Sequence, residues 1–159
     1  MRKPKVYLET TMFNRMVETG RKYCDETKRL FEEIAQGKFQ PYTSAYVIQE
    51  INDAQDVKRA AMLALIAEYS ITVLPLDYET VELAKRYVKE GIIPERYTTD
   101  AQHIASACVH EMDYILSLNF QHINKVKTKV ATALVNQMLG YRSAMICAPM
   151  EVTDNEDDG

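Results

Sequence analysis

Val6-Tyr7-Leu8-Glu9-Thr10-Thr11 joins a short apolar run to an acidic side chain with nothing between them. With Lys5 in front, the run reads as a strand buried on both faces, as strands of parallel sheets are. A carboxylate directly at the end of such a strand stands where open parallel sheets place their ligands. The remaining sequence has to supply that sheet.

Strand and helix signals alternate along the chain. Residues 26–36 form a predicted helix with Asp25 as N-cap and Gly37 as stop, and Leu30, Phe31, Ile34 and Ala35 share one face. Residues 39–43 read as a strand, and Ser44 caps a short helix that turns Val47, Ile48 and Ile51 inward and carries Glu50 near its end. Residues 56–69 have the strongest amphipathic pattern, with Val57, Ala60, Ala61, Leu63, Ala64, Leu65 and Ile66 in its apolar set. A strand over 71–74 stops at Pro75, and Asp77 caps a helix over 78–90 that ends at Gly91. A further helix opens at Thr99 or Asp100 and runs to His110. A strand over 114–117, a helix over 127–139 closed by Gly140, and a strand over 144–147 complete the series. This rhythm predicts an α/β fold: a single-domain three-layer α/β/α sandwich around a central, mostly parallel sheet with right-handed crossovers. Its expected extent is residues 1–150, followed by an acidic tail over 151–159 that lacks an apolar period and is expected to be disordered.

A chain of 159 residues with 47% hydrophobic content suits one domain with a core that needs no staples. Cys24, Cys108 and Cys147 are odd in number and far apart, which excludes a complete disulfide framework and a zinc knuckle. No apolar run approaches the roughly 18 residues of a membrane span, and Met1-Arg2-Lys3-Pro4-Lys5 leads into a strand rather than a signal peptide. The expectation is a cytoplasmic protein without membrane contact. A net charge of −4 excludes nucleic-acid binding by bulk positive charge but leaves room for a local metal-dependent site. With only 5 glycines and no glycine-rich loop, a phosphate cradle of backbone amides is not expected.

Four oxygen-bearing side chains stand at the ends of predicted strands or the starts of helices. Glu9 follows the first strand, Glu50 lies on the short helix after the second, Asp100 opens a helix, and Asn119 follows Leu116-Ser117-Leu118. Carboxylates and an amide oxygen from four segments suit Mg²⁺ or Mn²⁺, hard cations that take oxygen ligands. Such an ion supports phosphoryl chemistry by neutralising a phosphodiester and acidifying a water, while a neighbouring carboxylate takes the water's proton.

The segments Tyr7-Leu8-Glu9-Thr10-Thr11-x-Phe13-Asn14-Arg15, Ser44-x5-Glu50-Ile51, Asp100-Ala101-x-His103-Ile104-Ala105-x-Ala107, Leu116-Ser117-x-Asn119-Phe120-x-His122-Ile123 and Ile146-x-x-Pro149 together resemble a PIN domain, the fold of many toxin-antitoxin ribonucleases. The resemblance spans about residues 5 to 150. It implies a ribonuclease that cuts RNA with Mg²⁺ or Mn²⁺, is often a homodimer, and is often paired with a small antitoxin protein. On this chain it implies metal ligation by Glu9 and Asp100, water-mediated support from Glu50, and orientation of metal or water by Asn119, a catalytic and metal set of four. Thr10 and Thr11 would hold the first carboxylate through their hydroxyls. The family pattern has aspartate where this chain has Glu9 and an acid where it has Asn119. An alternative is therefore a catalytically weakened PIN-like module that binds RNA or a protein partner.

Several nearby residues carry a substrate reading beside a structural one. His103 lies one turn after Asp100, within reach of a phosphate or a water, or else is a hydrogen-bonded structural histidine. Asn14 and Arg15 should project near the mouth of the site, with Arg15 set either to clamp a phosphate or to form a surface salt bridge. Tyr97, in the loop before Asp100, is the best placed of 10 tyrosines to stack an unpaired base. His122 is read as pinning the Asn119 loop, and His110 as ending its helix.

Overall fold

The computed structural model describes residues 2–154. Among them β1 (Lys5–Leu8), β2 (Gln40–Ser44), β3 (Thr72–Leu74), β4 (Tyr114–Leu116) and β5 (Met145–Cys147) form one sheet in the order β3-β2-β1-β4-β5. Every neighbouring pair is parallel, with Tyr7 opposite both Tyr42 and Ile115. The chain lays down β1, β2 and β3 towards one edge, then crosses back to set β4 on the other side of β1. The order therefore reverses between β1 and β4, and their carboxyl ends flank the crevice where such sheets bind ligands.

Seven α-helices connect the strands: α1 (Thr10–Val17), α2 (Cys24–Ala35), α3 (Ala45–Asn52), α4 (Asp56–Glu68), α5 (Tyr78–Lys89), α6 (Thr98–Val109) and α7 (Val126–Leu139). Right-handed crossovers in opposite directions send the helices before β3 to one face of the sheet and those after it to the other. Accordingly α1 packs on α2 and α4, while α5 packs on α6 and α7. Contacts of α3 with α4 and of α3 with α6 link the two groups. Val6, Tyr7, Leu8, Ile115 and Leu116 are wholly buried, as central strands covered on both faces must be.

Two expected caps form as read. The Ser44 Oγ accepts the Val47 N–H at the start of α3, and Asp77 Oδ1 accepts the Thr80 N–H at 2.9 Å at the start of α5. Gly140 ends α7 in the left-handed region, φ 81. Elsewhere the structure departs from the expectation. Helix α1 starts immediately after Glu9, in a stretch that carries no helix signal, and buries Met12 and Phe13. Asp25 is in the first turn of α2 and does not cap it; the N-cap position belongs to Tyr23, φ 69. In α4 the expected Leu65 is buried, but Val57 is 87% exposed and Met62, outside the expected apolar set, is buried in its place.

The acidic segment read as a disordered tail from 151 is held to the body through Asp154. Pro149–Glu151 form a 3₁₀ turn in which Glu151 accepts the Ala148 N–H at 2.6 Å. The Asp154 N–H bonds the buried Glu33 carboxylate, and its side chain pairs with Lys38 at 2.8 Å. Residues 155–159 of that segment lie outside the described residues.

Candidate active site

Glu9 occupies the N-cap position of α1 but leaves its side chain out of capping. Its N–H continues the sheet by donating to the Leu116 carbonyl at 3.1 Å, which ties it to the end of β4. Its Oε1 accepts the hydroxyls of Thr11 and Ser117, each at 2.7 Å. Both hydroxyls have a second task. Thr11 Oγ1 accepts the Leu118 N–H at 2.9 Å, and Ser117 Oγ accepts the Asn119 N–H at 3.0 Å, so the loop after β4 and the Glu9 carboxylate are fixed together.

Glu50 reaches the same place from α3. Its Oε1 accepts the Thr10 hydroxyl at 2.7 Å and the Nε2 of His103 at 2.5 Å. His103, on α6, is wholly buried, and its Nδ1 pairs at 2.7 Å with the hydroxyl of Tyr7 from the centre of β1. The Tyr7 hydroxyl also bonds Ser44 Oγ at 2.7 Å. Burial pulls the pKa of His103 down, but the Glu50 bond and the charges of Glu9, Glu50 and Asp100 outweigh it and raise the pKa above the ordinary value. For Glu50, burial acts upward and His103 with Thr10 acts downward more strongly, so its pKa is lowered. With the imidazole charged, each bond along His103, Tyr7 and Ser44 has its donor. Burial, with Glu9 and Glu50 as nearby like charges, drives the Tyr7 phenol well above its ordinary value.

Asp100 stands in the first turn of α6 and is half-buried. Its pKa is raised to about 6, by burial first and then by Glu9 and Glu50, against the opposing pull of His103 and His122. Asn119 donates its Nδ2 to Asp100 Oδ1 at 3.3 Å, while its own Oδ1 accepts the His122 N–H at 3.1 Å. That backbone donor fixes which way the amide points: hydrogens towards Asp100, oxygen into the loop.

The predicted set is thus largely brought together, with altered duties. Glu9 Oε, Glu50 Oε and a His103 ring nitrogen can lie within 4.8 Å of one another. Thr10 is buried and serves Glu50, whereas Thr11 serves Glu9. His103 supports Glu50 and is closed to solvent, which rules out a contact with a phosphate. Asn14 is one turn along α1 from Thr10 and Thr11 and is partly exposed. Arg15 donates its Nε to the Lys22 carbonyl at 3.1 Å and so holds the α1–α2 loop. Sequence reasoning gave no role to Ser117, and Tyr7 resembled any core aromatic. The only sign of Ser117 was its place directly after β4, two residues before Asn119.

These carboxylates suit a hard divalent cation. Glu9, Glu50 and Asp100 have no lysine or arginine partner among the described residues, only hydroxyls, one histidine and one amide. Each also holds its protein partners with a single oxygen. Oε1 of both glutamates and Oδ1 of Asp100 take all these bonds, which leaves Oε2 of Glu9, Oε2 of Glu50 and Oδ2 of Asp100 without a hydrogen-bond partner among the described residues. Three free, negatively charged oxygens are what Mg²⁺ or Mn²⁺ takes. Both ring nitrogens of His103 are engaged, so the imidazole fits such an ion less well.

No family model matches the chain, and no curated protein matches it in sequence. Solved structures do resemble it. The VapC20 toxin of Mycobacterium tuberculosis, described as cleaving the Sarcin-Ricin loop, superposes with a TM-score of 0.58 at 15% identity, over 79% of this chain and 94% of its own. VapBC2 of Rickettsia felis, solved bound to a DNA fragment from its promoter, gives a TM-score of 0.55 at 14% identity, over 76% of this chain and 93% of its own. Identities this low carry the fold alone, and among the described residues no helix is long and apolar enough to cross a membrane. The chain has the PIN-domain fold of the VapC toxins.

Proposed function

We propose that the chain is a divalent-metal-dependent endoribonuclease that hydrolyses RNA phosphodiester bonds and acts as the toxin of a toxin-antitoxin pair. The observation that carries this reading is the set of three carboxylates at the sheet's reversal point, uncompensated by lysine or arginine and each with one oxygen free. Unlike a structural ion-pair network, this arrangement becomes electrostatically satisfied only when a cation joins it. VapC20 is described as a toxin that cleaves the Sarcin-Ricin loop, and that description, together with the resemblance of the sequence motifs to toxin-antitoxin ribonucleases, supports an RNA substrate and an antitoxin partner for this chain.

Glu9, Glu50 and Asp100 would hold Mg²⁺ or Mn²⁺, which when bound neutralises the phosphodiester and makes water more acidic. The chain's residues divide the remaining work by their pKa values. Glu50, lowered by His103, stays ionised and contributes charge. Asp100, which burial and the two glutamates push up to about 6 in the metal-free chain, is a carboxylate whose charge a bound cation would relieve. Asn119 aims Asp100 through its amide hydrogens. Thr10, Thr11 and Ser117 fix the two glutamates, so little reorganisation is left for the reaction itself.

A PIN-like module that binds RNA or a protein without cutting it is the second reading, favoured by the hydrogens that Asn119 turns towards the site in place of a fourth charge. Incubation of a long mixed-sequence RNA with the purified chain, with Mn²⁺ or Mg²⁺, separates the two. Metal-dependent cutting that EDTA and Asp100→Asn both abolish is expected. Intact RNA in every lane overturns the nuclease reading and leaves the binding module.

A further inference from the structure

The loop after β4 carries more than Asn119. Phe120, the next residue, is 45% exposed, although most large apolar side chains of this region are buried. The loop that presents it is tightly held: Leu118 N–H bonds Thr11, Phe120 N–H bonds the Leu118 carbonyl at 3.1 Å, and Asn124 Nδ2 bonds the Ser117 carbonyl at 3.0 Å. An apolar ring is thus displayed on a rigid support beside the carboxylates.

The ring is also backed from behind. Tyr23 lies with its centroid 5.8 Å from that of Phe120, tilted by 57°. Its backbone is in the left-handed region, φ 69, which a tyrosine rarely adopts. Strained residues concentrate where binding uses them. The ammonium of Lys22 sits 5.0 Å from the Tyr23 ring centroid. Three residues after Asn119, His122 forms a second aromatic pair, stacked on Tyr97 at 3.9 Å, with the Arg96 guanidinium 5.0 Å from the Tyr97 ring. Aromatic faces interleaved with cations are the surface that single-stranded nucleic acid takes, with bases on the rings and phosphates on the charges.

We infer that Phe120, braced by Tyr23, stacks an unpaired nucleobase of the RNA strand whose phosphodiester lies at Glu9 and Asp100, with Lys22 on a neighbouring phosphate. This inference rests on the nuclease reading for the identity of the strand. It makes Phe120 a binding residue for a base, and it restricts the substrate to RNA that is single-stranded at that nucleotide.

The test uses short single-stranded RNAs in which 2-aminopurine, whose fluorescence is quenched by stacking, replaces one base at successive positions. They are titrated into the full chain carrying Asp100→Asn, which removes both cleavage and one repelling charge. Quenching at one position is expected; adding Phe120→Leu should abolish it and weaken binding on the order of 10-fold, whereas Phe120→Tyr should keep both. Unchanged quenching and affinity in Phe120→Leu overturn the stacking inference and leave the ring to a protein surface. Melting curves of the variants control for folding. Cleavage by the unsubstituted chain is scored in parallel: metal-dependent cutting that Phe120→Leu leaves unaltered sinks the stacking inference alone, and no cutting at all sinks the nuclease reading.

Discussion

Replacing Asp100 with asparagine should make the metal-free protein more stable while ending its response to metal. Burial and the charges of Glu9 and Glu50 raise the Asp100 pKa from 3.8 to about 6, which means that the ionised carboxylate is disfavoured in the folded chain. At about 1.4 kcal/mol per pH unit the displacement is worth about 3 kcal/mol at most, and solvent screening of a half-buried group leaves about 1–2 kcal/mol. Asparagine removes that charge, keeps the shape, and can still accept the hydrogen bond from Asn119. In a domain of this size about 1 kcal/mol moves the melting temperature by roughly 2–4 °C, so Asp100→Asn should melt about 2–8 °C higher than the parent in EDTA at pH 7.5.

The pH dependence identifies the cause. A raised folded-state pKa lets the folded chain bind the proton more readily than the unfolded chain between 3.8 and about 6. The repulsion is therefore fully present above that window and absent below it, so the advantage of Asp100→Asn should shrink as pH falls through about 6 and vanish near 4. Mn²⁺ should reverse the ranking at pH 7.5 by binding the folded parent. A variant that melts at or below the parent in EDTA, or one that Mn²⁺ stabilises as much as the parent, would refute the reasoning that these carboxylates repel one another and jointly hold a cation.

Three further substitutions probe the end of α7 and the support around the carboxylates. Gly140→Ala meets no atom within 4 Å at φ +81, so its cost is that of the left-handed backbone alone, about 1 kcal/mol, read as a lowered urea midpoint with unaltered slope. His103→Gln removes the charged partner of Glu50 and loosens the wholly buried Tyr7 hydroxyl; about 2–3 kcal/mol of stability should go, together with Mn²⁺ affinity measured by calorimetry, and intact affinity would contradict the support role. Thr11→Val keeps the shape but strips Glu9 of a donor and the Leu118 N–H of its acceptor, at a cost of about 1–3 kcal/mol and with faster hydrogen exchange at that amide.

The parts of the fold that were legible are those whose signal is local. β1 announces itself because a strand covered on both faces has to be apolar throughout, and Ser44 and Asp77 do so because their side chains accept an N–H three residues on. Helix α1 was hidden for a physical reason. Its N-cap position is taken by Glu9, whose carboxylate accepts Thr11 and Ser117 and does not cap, and its first turn holds two β-branched threonines that favour other conformations. Tyr23 was hidden likewise, since no rule of sequence expects a tyrosine in the left-handed region at a helix start.

For the candidate site, residue types and strand ends were enough to name carboxylates that the fold gathers but not to assign contacts to their neighbours. The Tyr7–His103 bond joins residues 96 positions apart, and only the packing of α6 onto the sheet brings them together. Asn119 shows the limit most sharply. As a formula its amide offers either an oxygen to a cation or hydrogens to a carboxylate, and the choice is made by one backbone donor, His122 N–H, that occupies the oxygen. An aspartate at that place would set a fourth negative charge against Asp100 and lift its pKa further; asparagine instead donates to it, favouring the ionised form that a cation requires. The departure from an all-acidic pattern is consistent with a one-ion site in which Asn119 keeps Asp100 aimed and ionised.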